Sequence, residues 1–210
     1  MQTYSHWLVT KVLQVKLVER RTAVPGTAVH SSAFLLGSIL PDVPLFILTV
    51  GFIINRRWLN PAPLHEGMFG AAYDALYFSN PWWIALHNLL HAPPLILLYA
   101  LLGLLALRAR ASERARASER ARASERARAW GFALCWFAAG CGLHALLDIF
   151  THVTDGPLLF FPFNWTYRFA APISYWDPQY GARLFAPLEH ALDGAILLWL
   201  VVRWRRSRQP

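Results

Sequence analysis

The chain has 210 residues, of which 56% are hydrophobic, and a mean hydropathy of +0.32, a composition typical of membrane proteins. Its net charge of +8 is concentrated in residues 108–128 and in the last eight residues, beside long apolar runs. This distribution lacks the basic and aromatic pattern of nucleic-acid-binding surfaces, so we expect no nucleic-acid partner. We interpret residues 1–210 as a single membrane-embedded domain with the lipid bilayer as its surroundings.

The first two predicted elements differ in character. Residues 4–21 alternate apolar and basic side chains, which predicts an amphipathic helix that lies in the membrane interface. Residues 33–54 are apolar but contain Pro41 and Pro44 on either side of Asp42. Because proline removes a helix hydrogen bond and restricts the preceding residue, we expect a broken helix with Asp42 at the break.

Three further segments are long and apolar enough to cross a bilayer, whose hydrocarbon core is about 30 Å thick. They comprise residues 82–107, 130–151 and 188–202, the last extending towards Trp204. Several Trp residues lie at the segment ends, where indole rings favour the headgroup layer. The predicted fold is therefore all-α, a polytopic membrane bundle of three to four spanning helices with an N-terminal amphipathic helix and a broken helix.

Residues 111–128 are a threefold repeat of ASERAR, made of strong helix formers. We interpret residues 108–129 as an Arg-rich, solvated spacer between two membrane helices. Arg-rich segments remain on the cytoplasmic side, so 82–107 is expected to run inwards, 130–151 outwards and the last segment inwards again.

Polar residues in two of these segments match in depth. Counted from a loop centre near residue 118, His87 and His91 lie at the same depth as Asp148 and His144. Each pair has i,i+4 spacing and therefore shares a helix face. His152 extends the second stripe by one turn. We expect the four depth-matched residues to meet on the exofacial side of the membrane.

The start of the last spanning segment lies on the same side and reads PLEHALD, with Glu189, His190 and Asp193. A single His in an apolar helix is usually a hydrogen-bonded core residue, and Asp42 would serve equally well as a helix cap. However, ionisable groups inside a membrane are costly and are usually functional. We therefore predict a shared metal-binding or proton-handling site.

Imidazole and carboxylate ligands without thiolate favour Zn²⁺, with Mn²⁺ or Fe²⁺ as alternatives. A site so rich in His and Asp can hold more than one ion. Metal ions that activate water and bind phosphate oxygens hydrolyse phosphoesters. The residue types thus indicate a hydrolase that uses metal-activated water.

The chain resembles a bacterial inner-membrane family of metal-dependent hydrolases that includes a LexA-regulated member, and more distantly it is similar to zinc-dependent phospholipase C. The resemblance rests on five motifs in family order: Ser5-His6, GSILPDVP (37–44), HNLLHAPP (87–94), GLHALLDIFTHVTDGPLLFFPF (142–163) and PLE (187–189). The chain departs from the family pattern at Val43, where Asp is usual, and at Ala92, where Ser is usual.

The resemblance implies a multi-pass enzyme of the inner membrane that acts on a phosphoester of a lipid or of another membrane-proximal substrate. It also implies a set of metal ligands. These are His6, Asp42, His87, His91, His144 and Asp148, with His152 at the edge and Glu189 as a further candidate. Asp148 and Glu189 are the predicted catalytic residues, Glu189 as ligand or general base.

An aromatic and polar loop follows His152, and we expect it to cover the site. Arg168 or Arg183 would hold a substrate phosphate, since guanidinium groups bind phosphate in a bidentate manner. The alternative interpretation of this loop is an interfacial aromatic belt.

Two other functions fit part of the pattern. Facing His pairs on antiparallel membrane helices ligate haem in b-type electron-transfer proteins, although a haem site has no need of Asp148. A metal or proton transporter would use the same residues as a transport path.

Overall fold

A computed structural model describes residues 1–22, 29–61, 69–108 and 119–209. These residues form eight α-helices and no β-strand, which confirms the predicted all-α fold. The helices are α1 (Thr3–Thr22), α2 (Ser31–Gly37), α3 (Asp42–Ile54), α4 (Ala71–Ser79), α5 (Pro81–Asn88), α6 (Pro93–Leu107), α7 (Glu119–Thr151) and α8 (Ala182–Arg206). A π-helical turn, Asn55–Leu59, continues α3, and a short 3-10 helix, Pro178–Tyr180, precedes α8.

Two described helices are long and apolar enough to cross a membrane, and the number rises to four if each of two bent helix pairs forms one span. Helix α7, over Ala123–Thr151, and helix α8 are each long and apolar enough to cross a membrane. The pairs α2–α3 and α5–α6 pass the same test as bent units, with bends of 45° and 46°. The predicted number of spans and the predicted break in residues 33–54 are therefore confirmed.

The bend between α5 and α6 corrects the expectation of an uninterrupted helix over residues 82–107. Helix α5 ends at Asn88 and α6 begins at Pro93, followed by Pro94. Neither proline has a backbone N–H to donate to the preceding turn, and Ala92 adopts an extended conformation in front of them. The four-residue break therefore has the same cause as the break before α3.

Helix α7 is the central element and packs mainly against α6 and α2. It begins at Glu119, earlier than the predicted start at residue 130, because the Ala-, Glu- and Arg-rich repeat continues the helix. Part of the predicted spacer, residues 109–118, lies outside the described residues.

Small residues allow α2 and α7 to approach at backbone contact distance. A Cβ atom on Gly37 would lie 2.2 Å from the carbonyl oxygen of Phe137, and one on Gly140 would lie 2.2 Å from that of Phe34. Close helix approach through glycine is a common means of packing in membranes, where burial of apolar surface gives no driving force between helices. This contact sets the position of α2 and of the break that follows it.

Helix α1 runs parallel to α8 along most of its length. The Tyr4 hydroxyl lies 3.0 Å from His190 Nδ1 near the start, and Arg203 forms an ion pair with Glu19 near the end. Between them, the Lys16 ammonium lies 5.3 Å from the centre of the Trp199 ring. The predicted N-terminal helix is confirmed, and α8 supplies partners for several of its polar side chains.

Asn88 joins the α5–α6 break to the loop that follows α7. Its amide donates to the carbonyl of Ile84 and accepts from the backbone N–H of Leu158, both at 2.8 Å, and all three groups are buried. We expect Asn88→Ala to lower the free energy of unfolding by about 1–3 kcal/mol, since it leaves the buried backbone N–H of Leu158 without its partner. Denaturation in detergent measures the loss.

The matched control is Asn60→Ala, whose side chain is exposed and, among the described residues, bonds to Asn55. Equal stability losses in the two variants would contradict the structural role of Asn88.

Candidate metal centre

Four side chains converge where the two helix breaks meet α7: Asp42, His91, His144 and Asp148. Each offers one ligand atom, and these atoms all lie within 4.8 Å of one another. His91 Nε2 and His144 Nε2 are 3.0 Å apart. The nearest carboxylate oxygens lie 3.0 Å (Asp148 Oδ2) and 3.3 Å (Asp42 Oδ1) from His144 Nε2.

The breaks explain why residues from three elements reach one point. Asp42 is the first residue of α3, which follows the interruption at Ser38–Pro41, so its carboxylate projects from a helix start. Pro41 occupies the N-cap position, so Asp42 is not the cap that the alternative interpretation suggested. His91 lies in the interruption between α5 and α6, whereas His144 and Asp148 share a face of α7.

Hydrogen bonds fix which nitrogen of each ring carries the proton. His144 Nδ1 lies 2.9 Å from the carbonyl oxygen of Ser38, and His91 Nδ1 lies 2.7 Å from that of His87. Carbonyl oxygens only accept, so both Nδ1 atoms donate, and in the neutral rings both Nε2 atoms present lone pairs. A second hydrogen bond to a carbonyl is the usual arrangement of a His that ligates a metal.

The centre is thus a set of four acceptors, namely two lone-pair nitrogens and two carboxylates. Among the described residues, donors outside these four reach only the second oxygens of the carboxylates, from Thr3 to Asp42 Oδ2 and from the Met1 ammonium to Asp148 Oδ1. His144 is fully buried and Asp148 is 5% exposed. Burying such a set is unfavourable unless a cation lies among the acceptors. The Met1 ammonium offsets part of the carboxylate charge, since it donates to Asp148 Oδ1 at 3.1 Å. The two imidazole nitrogens, Asp42 Oδ1 and Asp148 Oδ2 still form a ligand set that fits a divalent metal.

His6 and His152 flank the other side of Asp148. The His6 ring stacks on His144 with centroids 3.8 Å apart, and its Nε2 lies 2.9 Å from Asp148 Oδ1 without being aligned for a hydrogen bond. His152 Nδ1 donates to the Asp148 carbonyl oxygen and lies 3.7 Å from Oδ1. Asp148 therefore directs Oδ2 to the four-residue centre and Oδ1 to these two histidines and to the Met1 ammonium, which lies 3.1 Å away.

His87 lies next to the centre without joining it. Its ring is 4.4 Å from that of His91, and its Nε2 is 3.2 Å from the Tyr77 hydroxyl. The single Tyr77 proton is used by the Asp155 carbonyl oxygen, 2.6 Å away, so His87 Nε2 is the donor and Nδ1 holds the lone pair. Among the described residues Nδ1 has no partner, although it is buried.

Glu189 contacts α1 instead of the centre. Its Oε1 accepts from the backbone N–H of Gln2 at 2.8 Å, and one turn later Asp193 Oδ2 accepts from the Ser5 hydroxyl at 2.7 Å. Both acids are buried, and each has a second oxygen that no described residue bonds. They hold the first turn of α1, which carries His6.

A cavity of about 710 Å³ opens at the centre. Asp42, His87 and Asp148 lie in its wall at one place, and an apolar wall from α3, α4 and the turn before α4 contains Leu45, Phe46, Phe69 and Phe78. Residues after α7 complete the lining, among them His152, Asp155, Tyr175 and Trp176. The cavity thus joins a polar, acceptor-rich zone to an apolar one.

The two predicted phosphate-binding arginines lie apart from the lining. Arg168 donates to the Gly156 carbonyl oxygen, and its guanidinium carbon lies 5.5 Å from the ring centres of both Tyr77 and Phe78. Burial lowers the pKa of this guanidinium below its ordinary value. Arg183 is exposed at the start of α8.

Thr3 and the Ser38 carbonyl complete the centre and were not predicted. The Thr3 hydroxyl donates to Asp42 Oδ2 at 2.5 Å. The Ser38 carbonyl is available to His144 because it belongs to the last turn before Pro41. The only signal in the sequence was the proline, which frees carbonyl groups in the turn before it.

We expect Thr3→Val to weaken metal binding by about 10- to 100-fold with little loss of folding, as for other residues that orient a metal ligand. Thr3→Ser keeps the hydroxyl and should bind like the wild type. Titration of each protein with Zn²⁺ in the presence of a competing chelator measures the difference. Equal affinities for Thr3→Val and Thr3→Ser would show that the hydrogen bond to Asp42 is unimportant.

Residues 1–209 match the model of a family described as YdjM inner membrane protein. No match was found among curated proteins or among solved structures. Together with helices that are long and apolar enough to cross a bilayer, the family match identifies an inner-membrane protein, as predicted.

Proposed function

Because the chain belongs to the YdjM inner membrane protein family, we propose that it is a membrane-embedded, metal-dependent hydrolase that cleaves a phosphoester. The observation that carries the proposal is the convergence of two imidazoles and two carboxylates on one point, with the two carboxylates in the wall of a large cavity. The distant resemblance of the motifs to zinc-dependent phospholipase C supports a phosphoester as the scissile group.

Asp42, His91, His144 and Asp148 would hold the ion. Two imidazoles and two carboxylates suit Zn²⁺ first, with Mn²⁺ or Fe²⁺ as alternatives. A divalent ion bound there supplies a Lewis acid that polarises a phosphoryl oxygen and makes water a better nucleophile near neutral pH. His6 and His152, on the other side of Asp148, support the proposal of a second ion, since Asp148 Oδ1 faces both.

Side chains of the protein would accept a proton, position the first turn of α1 and accommodate the substrate. Asp148 and His152 line the cavity and are positioned to accept a proton from a water molecule beside the centre. We assign Glu189 to hold the first turn of α1 and thereby His6; its second oxygen keeps it a candidate ligand or general base. The apolar wall would accommodate the hydrocarbon part of a lipid substrate.

The geometry argues against a haem between the facing histidines. The two Nε2 atoms are 3.0 Å apart, whereas two axial nitrogens at about 2 Å each from one metal ion would stand roughly 4 Å apart. Asp42 and Asp148 also occupy the flanks that a macrocycle would need.

We propose that the site faces the periplasm. In α7 the arginines Arg126 and Arg128 lie near the start and Asp148 near the end, about 30–33 Å away along the axis. In α8 Glu189 lies near the start and Arg203, Arg205 and Arg206 near the end. The arginines of both helices thus lie at the ends remote from the centre, which suits a cytoplasmic location for them.

The test is hydrolysis of phospholipids in mixed micelles by the purified chain, with and without a chelator. We expect chelation to abolish release of the phosphorylated headgroup and added Zn²⁺ or Mn²⁺ to restore it. His91→Ala should lose at least about 100-fold in rate, since changes outside the ligand set alone cost about 10- to 100-fold. The matched control is His190→Ala, a half-exposed His outside the centre.

Hydrolysis that survives both chelation and His91→Ala would contradict the proposal. If the reconstituted protein moves metal ions into vesicles and hydrolyses no phospholipid, the alternative function, a metal transporter, would be supported instead.

A further inference from the structure

Carboxylates outnumber cationic groups in the described wall of the cavity. Four carboxylates line it, Asp42, Asp74, Asp148 and Asp155, and no Lys or Arg is present among the described lining residues. The Met1 ammonium also lines the cavity, where it lies 3.1 Å from Asp148 Oδ1. A divalent ion at the centre offsets Asp42 and Asp148. Asp74 and Asp155 remain, and neither forms an ion pair within the described part of the chain.

Asp155 is held beside an exposed indole at this wall. Its Oδ2 accepts from Trp176 Nε1 at 2.9 Å, and no described residue donates to Oδ1. Trp176 is 54% exposed, so this hydrogen bond fixes a large aromatic surface next to a carboxylate. Tyr175 adds a second ring, which packs on His152 with centroids 4.9 Å apart. A carboxylate with neighbouring aromatic faces is the arrangement that binds ammonium groups, with Trp as the strongest ring partner.

Two side chains, Tyr77 and His87, connect the Asp155–Trp176 pair to the metal centre. The Tyr77 hydroxyl bonds both the Asp155 carbonyl oxygen and His87 Nε2. His87 also lines the cavity and keeps a buried Nδ1 without a partner among the described residues, which independently indicates that a ligand occupies this zone. The faces of Tyr77 and Phe78 are covered by Arg168, so the ammonium position is at Trp176 and Tyr175.

We infer that the cavity selects a phosphoester that carries an ammonium group, as in a zwitterionic phospholipid headgroup. The inference rests on the proposed function for the position of the phosphate. The phosphoryl group lies at the metal centre, the ammonium group contacts Asp155 and Trp176, and the remaining substrate follows the apolar wall. Two carbon atoms separate phosphate from ammonium in such a headgroup, which suits two neighbouring subsites. An anionic headgroup would instead face the unpaired carboxylates.

The test measures binding and does not depend on turnover. Quenching of tryptophan fluorescence is titrated in the full-length, Zn²⁺-loaded protein with phosphoethanolamine and with glycerol 3-phosphate. The same titration is repeated with micelles of the two corresponding lipids, phosphatidylethanolamine and phosphatidylglycerol. We expect the ammonium-bearing member of each pair to bind about tenfold more tightly. Asp155→Asn should remove this preference while leaving the zinc content unchanged.

Trp176→Phe is the second variant, since it keeps a ring but removes the hydrogen bond to Asp155; it should retain part of the preference, whereas Trp176→Leu should lose it. Equal binding of both headgroups by the wild type, no binding of either, or an unchanged preference in Asp155→Asn would overturn the inference.

Tighter binding of the lipid than of the soluble headgroup identifies a membrane lipid as the source, and equal binding identifies a soluble phosphoester. If the protein prefers the ammonium-bearing headgroup but hydrolyses no phosphoester, the inference holds and the proposed function is contradicted.

Discussion

Asp148→Asn is expected to yield a folded protein that has lost its metal. The substitution keeps the size of the side chain but removes the charge that His144 and His91 face at 3.0 and 3.6 Å. The NH2 group of the Asn side chain is also a hydrogen-bond donor, so the variant would place it among the acceptors of the centre or next to the ion. We expect the metal content of the purified variant to fall to less than about a tenth of the wild-type value, with loss of hydrolysis.

Asp74→Asn is the matched control, because it removes an exposed carboxylate of the same cavity that lies outside the centre. Elemental analysis of both variants, together with circular dichroism to verify the fold, measures the effect. A folded Asp148→Asn protein with full metal content would contradict the role of Asp148 as a ligand.

Gly140→Ala is expected to disturb the metal centre, although Gly140 itself is not part of the centre. Its new methyl group would lie 2.2 Å from the Phe34 carbonyl oxygen and 3.0 Å from Gly37 Cα, both backbone atoms of α2 that have no freedom to rotate away. Helix α2 must shift, and the Ser38 carbonyl that fixes the His144 ring shifts with it. We expect a loss of about 1–3 kcal/mol in stability, as in other overpacked sites, and a lower metal affinity.

The control is Gly51→Ala, where no atom lies within 4 Å of the new methyl group. This variant should be unchanged or about 0.5–1 kcal/mol more stable, since Ala is favoured over Gly in helices. Thermal unfolding in detergent and metal titration compare the two. If Gly140→Ala unfolds and binds zinc as the Gly51→Ala protein does, the α2–α7 contact does not position the site.

The meeting of His91 with His144 and Asp148 was predictable because two segments joined by one loop place residues at equal distances from the loop centre at equal depth. The cost of ionisable groups in a membrane then made a shared site the natural interpretation of the pattern. Asp42 was predictable for a different reason, since its flanking prolines had to break a helix. These arguments use only periodicity and proline chemistry, which are local properties of the chain.

The second helix break also has a local cause, because Pro93 and Pro94 act as Pro41 does. The apolar pattern of the sequence nevertheless predicts an uninterrupted helix over residues 82–107. This break displaces His91 from a regular helix and lets its Nδ1 reach the His87 carbonyl oxygen. The matching of depths alone predicts that His87 and His91 are both part of the shared site. The structure separates them, with His91 in the centre and His87 bonded to Tyr77.

Other features depend on contacts between distant parts of the chain. Thr3 reaches Asp42 only because α1 packs along α8, and Glu189 bonds Gln2 for the same reason. The pairing of Asp155 with Trp176 arises from the fold of the loop after α7, whose irregular backbone has no periodic signal. No pattern in the sequence specifies such partners.

X-ray absorption spectroscopy of the purified, metal-loaded chain tests most directly whether these four residues hold a metal. The expected spectrum shows a shell of nitrogen and oxygen ligands with the scattering pattern of imidazole and without sulfur, since Cys135 and Cys141 lie outside the centre. His144→Ala should reduce the imidazole contribution. A folded protein that binds no divalent metal, or a spectrum with sulfur ligands, would contradict the assignment.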